Sequence, residues 1–157
     1  RDNEMKKVPY MLIVGEKEMA EYIATFPMSV FVMDYDHNSP SPEHLWNTHE
    51  NFFKIIRKAH PDVPVIFVTR PDARTNYEYQ SLGDHYAERC REPIFTTYQN
   101  ALKAGDQKVF FVDGNTLFGE DDFDACTVDR CHPNDLGFYR MAQAIRPVLA
   151  QALQSIE

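Results

Sequence analysis

Asp129 and His132 stand three residues apart in the run Asp129-Arg130-Cys131-His132-Pro133-Asn134-Asp135-Leu136-Gly137, at the mouth of an amphipathic stretch. A neutral imidazole acting as a general base needs a partner on its far nitrogen. That partner fixes the tautomer and stabilises the imidazolium formed during turnover. Asp129 is close enough in sequence to fill this role, so the two residues together encode a base, His132, and its orienting carboxylate. The bland alternative is a surface loop in which Asn134 or Asp135 merely caps the helix that follows. A base also needs a nucleophile to serve, and the elements that carry this loop determine where one would stand.

Four short segments rich in Val, Ile and Phe, at 8–14, 28–35, 63–69 and 108–113, are apolar on both faces without alternation, as buried parallel strands are. Helical stretches separate them. Residues 16–25 place Met19, Tyr22 and Ile23 on one face. Residues 42–60 carry Ser41 as N-cap, Pro42 in the first turn, and Leu45, Phe52, Phe53 and Ile56 along the buried stripe. Residues 77–104 are helical in parts, and Pro93 should break or kink them. Residues 134–156 keep an apolar stripe past Pro147, where a kink is expected. Strand then helix, repeated, predicts an open α/β sheet of about four mainly parallel strands. Active sites in such sheets lie beyond the carboxyl ends of the strands. The positions to read there are Gly15-Glu16, Asp34 to Asn38, Thr69-Arg70 and Asp113 to Asn115.

Composition excludes several classes. Sixteen basic and twenty-four acidic residues give a net charge of −8 with no basic run, so nucleic acid is not an expected partner. Three cysteines, Cys90, Cys126 and Cys131, form no paired pattern and read as reduced thiols. No apolar run approaches a membrane span, and the N-terminal residues hold no signal-peptide core, so a soluble chain is expected with no membrane partner. Neither a cofactor motif nor metal-ligand spacing is present. His44 and His49, five apart, align poorly on a helix and read as solvated helix-face residues, as do the other histidines outside the Asp129–His132 pair. Trp46 and Phe52-Phe53 read as core contacts, and Arg70-Pro71-Asp72 as a loop.

The Asp129-to-His132 block closely resembles the last signature block of the SGNH (GDSL-type) esterases: an acid, two residues, His-Pro, and a glycine before a helix. Val109-Phe-Phe-Val-Asp113-Gly114 resembles the strand that precedes that block. The resemblance covers about residues 18–153 and implies a flavodoxin-like three-layer sandwich. It also implies His132 as base, Asp129 as its orienter, and Asn38 as oxyanion-binding amide after the strand Val30-Phe-Val-Met-Asp34. Read locally, His37-Asn38-Ser39-Pro40 is equally an ordinary turn. The family's glycine before the asparagine has no match in Tyr35-Asp36-His37-Asn38. Its serine nucleophile follows the first strand in a Gly-Asp-Ser-like block. Here the serines are Ser29, Ser39, Ser41, Ser81 and Ser155, and none has that context. The family's first strand, serine and helix thus have no counterpart, which implies an inactive esterase scaffold; the alternative is an active acyl-ester hydrolase whose nucleophile is not identified among these residues.

Lys6-Lys7-Val8-Pro9-Tyr10-Met11-Leu12-Ile13-Val14-Gly15-Glu16-Lys17-Glu18 resembles a different family, the anticodon-binding domain of threonyl-tRNA synthetases. Together the two resemblances imply one α/β domain over 1–157, with residues 1–17 a grafted or recombined strand segment on an SGNH-like core at 18–157, as in an engineered chimera. Loss of the first strand and helix would bare an apolar sheet face and a pairing edge. A homodimer or swapped assembly is therefore the expected partner arrangement. A separate enzyme reading rests on Val30-Phe-Val-Met-Asp34-Tyr35-Asp36, which resembles the strand-Asp-x-Asp start of haloacid-dehalogenase-like phosphatases and would make Asp34 the nucleophile and Asp36 the acid or base. No suitable lysine follows, and Asp121-Asp122 does not end an apolar strand.

Overall fold

The computed structural model describes residues 16–71 and 85–155. In chain order these form α1 (Glu16–Ile23), β1 (Phe31–Met33), α2 (Pro42–Ala59), β2 (Val65–Val68), α3 (Tyr86–Lys103), β3 (Val109–Val112) and α4 (Asp135–Gln154). The strands pair in parallel in the order β1-β2-β3, with Phe31 opposite Val65 and Val65 opposite Val109. The α/β architecture and parallel sheet expected from the sequence are present, with three strands among the described residues. The fourth expected strand, at 8–14, lies outside them.

Successive strand side chains point to opposite faces, and each face has its own core. Met33, Val65, Phe67 and Val109 pack with Ala20 of α1, with Phe52, Phe53 and Ile56 of α2, and with Ile94 and Ala101 of α3. Ile66, Val68 and Val112 face the other way, against Leu117 and the Met141, Ile145, Val148 and Ala152 stripe of α4. Among the described residues α1, α2 and α3 thus lie on one face and α4 on the other; α2 and α3 share a face because the two crossovers that carry them run in the same direction.

Local chemistry sets the helix ends. Ser41 caps α2 by accepting the His44 N–H at 3.2 Å, with Pro42 in the first turn. Asn134 caps α4 by accepting the Gly137 N–H at 3.0 Å. Pro93 and Pro147 do not interrupt α3 and α4, contrary to the break allowed at Pro93. Pro93 is buried within a helix that packs on α2 and the sheet, so tertiary packing outweighs one lost main-chain bond.

Two core expectations need correcting. Trp46 is 47 % exposed, because its position on α2 faces away from the stripe formed by Leu45, Phe52, Phe53 and Ile56. His49 is buried instead of solvated. Its Nδ1 lies 2.9 Å from Thr97 Oγ1, and Tyr35 stacks on its ring. No helix among the described residues is long and apolar enough to cross a membrane.

Candidate functional site

The carboxyl ends of the three strands and the loop before α4 meet at one end of the sheet. A bridge between Thr127 and Pro133, with Val128 N–H donating to His132 O at 2.9 Å, pinches that loop into a tight turn. Arg130 takes a left-handed conformation (φ 72°) at its tip. The turn delivers Asp129 to His132. Asp129 Oδ2 lies 2.6 Å from His132 Nδ1, while Oδ1 accepts the backbone N–H groups of His132 at 2.7 Å and Cys131 at 3.0 Å.

Those bonds favour the charged carboxylate. The His132 amide first, then its imidazole and the Cys131 amide, hold Asp129 down to about 2. With Nδ1–H given to the carboxylate, a neutral His132 keeps its lone pair on Nε2, and the side chain is 76 % exposed. The acid and the imidazole that the sequence sets three residues apart are thus in hydrogen-bond contact. Gly137 lets the first turn of α4 press against this loop, since a Cβ there would stand 2.2 Å from Cys126 O.

Asn38 ends a short 3-10 turn, Asp36–Asn38, that follows β1, and it is exposed at the same end of the sheet. Its neighbour His37 makes the link to the other elements. His37 Nδ1 lies 3.1 Å from the Arg70 guanidinium at the end of β2 and 3.9 Å from Cys131 Sγ. The loops that carry Asn38 and His132 therefore touch through His37 and Cys131. Arg70, read from sequence as a loop residue, is buried, with its guanidinium 5.3 Å from the Tyr86 ring centre. Its position at a strand end was the legible signal. Nothing in the spacing marked His37 or Cys131 as its neighbours.

At the end of β3, Gly114 N–H donates to Thr69 Oγ1 at 2.7 Å, and Asp113 receives Arg91 Nε at 2.9 Å. Asp34 and Asp36 do not form an exposed pair of carboxylates. Asp34 is exposed, but Asp36 is buried and its Oδ2 accepts the Arg70 N–H at 2.9 Å, which ties the ends of β1 and β2 together. Among the described residues no group of three or more His, Cys, Asp or Glu could hold a metal ion.

Comparison with known proteins bears on the fold and the family. The chain covers 90 % of its own length and 41 % of the partner's when overlaid on a Bacteroides ovatus protein described as a GDSL-like lipase, with a TM-score of 0.77 and 29 % identity. The salicylyl-acyltransferase SsfX3 of a tetracycline biosynthetic pathway shares the fold, with a TM-score of 0.70 at 18 % identity over 90 % of this chain and 43 % of that one. The chain thus spans less than half the length of these solved structures. No curated protein matches it. The pattern of the GDSL-like Lipase/Acylhydrolase family matches residues 14–150, starting ahead of the junction expected near Glu18, and the chain belongs to that family.

Proposed function

We propose that this chain carries the base side of an acyl-ester hydrolase site: His132 as general base, Asp129 as the carboxylate that orients it, and Asn38 as an oxyanion donor. The observation that carries the reading is the 2.6 Å bond between Asp129 Oδ2 and His132 Nδ1, in a turn whose backbone amides saturate the other carboxylate oxygen. An amide aimed at the developing negative charge lowers such a barrier by about 2–4 kcal/mol. The substrates are O-acyl esters.

The same reading leaves the chain without a serine nucleophile. Ser41 Oγ is engaged as the cap of α2, Ser39 Oγ donates to Ser41 O at 3.0 Å, and Ser155 Oγ donates to Ala152 O at 2.6 Å. Ser29 precedes β1, at the opposite end of the strands from His132, and Ser81 lies outside the described residues. Loss of the nucleophile costs a triad about a millionfold in turnover.

Two measurements test this. A fluorophosphonate probe should label no serine above the level of the denatured chain. A labelled serine that disappears in His132→Ala would restore the triad and overturn the serine-free reading. Long-range 1H–15N spectra should show neutral His132 as the Nδ1–H tautomer, shifting toward Nε2–H in Asp129→Asn. An unchanged tautomer in that variant would remove Asp129 from its role.

A further inference from the structure

The Asp129–His132 pair stands on a loop with little regular structure of its own. Residues 113–134 join β3 to α4, against a usual connection of about 4–6 residues, and hold two short 3-10 turns, Gly114–Thr116 and Phe123–Cys126. Asp129 and His132 are exposed near its far end, so their own side chains take no hold in the core. A base serves only where its lone pair meets the reacting atom, and a displacement of about 1 Å can cost about a hundredfold in rate. Something outside the pair must therefore fix the loop.

Two side chains at the start of α4 reach back to it. The Asn134 amide is divided: Oδ1 accepts the Gly137 N–H at 3.0 Å as the cap of α4, while Nδ2 donates to Ala125 O at 2.8 Å. Its backbone N–H donates to Cys126 O at 3.0 Å. Aspartate would cap the helix as well as asparagine does, yet it has no donor to give Ala125. Arg140 gathers the stretch before that. Its Nη1 donates to Phe118 O at 2.7 Å and to Asp121 O, and lies 3.6 Å from Cys126 Sγ. Phe118 is buried, and the chain reverses at Asp122 with a left-handed φ of 50°. The guanidinium thus ties together a buried anchor and the approach to that reversal. Hydrogen bonds with a charged donor are about twice as strong as neutral ones.

We propose that Asn134 and Arg140 are positioning residues for His132. Together they fix the 118–126 segment to α4 and so set where the Asp129–His132 turn stands over the strand ends, beside the turn that carries Asn38. That the placed imidazole serves as a base rests on the acylhydrolase reading, while the placement rests on these bonds. The two claims separate cleanly. The Asp129–His132 bond spans three residues and should survive when the segment slips. The contact between Cys131 and His37, 3.9 Å apart across two loops, should not.

The test is NMR on the full chain. Wild type should show a cross-peak between the Cys131 β-protons and the His37 ring. Arg140→Met should lose it, and so should Asn134→Asp, which keeps the helix cap and decides the question if Arg140→Met unfolds. Both should retain the Nδ1–H tautomer of His132. Arg140→Lys offers three donors from one nitrogen in place of Nη1 and should keep the cross-peak. Thermal midpoints establish that the variants remain folded. Lower midpoints with an undiminished cross-peak would reduce the two residues to structural ties and overturn the proposal. A wild type without the cross-peak, or an Arg140→Lys variant that loses it as Arg140→Met does, would overturn it as well. A wild-type His132 protonated on Nε2 sinks the acylhydrolase reading yet leaves the placement standing.

Discussion

His49 shows how far one residue's protonation reaches. Thr97 Oγ1 donates its own proton to Pro93 O at 3.0 Å, so it can only accept from His49, which places a proton on Nδ1 of the buried imidazole. Burial lowers this histidine to about 3, against an ordinary 6.5, and the charge of Glu50 offsets only part of that. The unfolded chain then binds the extra proton between those values. The stability tied to neutral His49 is fully present above pH 6.5 and drains away as pH falls toward 3, by up to about 1.4 kcal/mol per pH unit. Tyr35 stacks on the ring and leads into the turn bearing His37 and Asn38. Urea unfolding at pH 6 and pH 4 should show a steep loss for the wild type and a shallow one for His49→Phe. Equal losses in the two proteins would show that His49 stays neutral for free.

The strand ends converge because a glycine stands where no side chain fits. A Cβ on Gly114 would come within 1.9 Å of Arg70 O and 2.5 Å of Thr69 O, both backbone atoms that cannot swing aside. Gly114→Ala should therefore cost about 3 kcal/mol and separate the exits of β2 and β3. Gly105→Ala has open space around it and a φ of 87°, so it should cost only about 1 kcal/mol of backbone strain. Urea midpoints of the two variants give the comparison, and similar losses would refute the steric account. The strands, the caps at Ser41 and Asn134 and the Asp129–His132 pair were legible in sequence because each rests on near neighbours: period, cap chemistry, or a spacing of three. The link from His37 to Arg70 and Cys131 was not legible, because it joins positions 33 and 94 residues apart that only the parallel register brings together. His49 was misread for a related reason. Its burial comes from Tyr35 and Thr97 on other elements, while its own helix offers no sign of it.

At the scale of the whole molecule, the described residues cover the two faces of the sheet unequally. Among them α1, α2 and α3 share one face, while α4 packs on the other, over β2 and β3. β1 pairs only with β2 among the described strands, and Val32, at its centre and on the α4 side, is 39 % exposed. A partly exposed mid-strand valine beside a strand edge that no other described strand covers is a ready template for another strand. A second copy of the chain presents the same edge, so an isologous pairing across β1 satisfies both at once. Sedimentation at micromolar concentration should therefore show a dimer, and Val32→Lys, which places a charge on the edge without disturbing the buried core, should give a folded monomer. Residues 1–15 are the competing occupant, since they precede α1 in the chain and include an apolar run at 8–14. If they fill the edge, the wild type will sediment as a monomer and a chain shortened to begin at Glu16 will associate instead, which would overturn the dimer of the full chain.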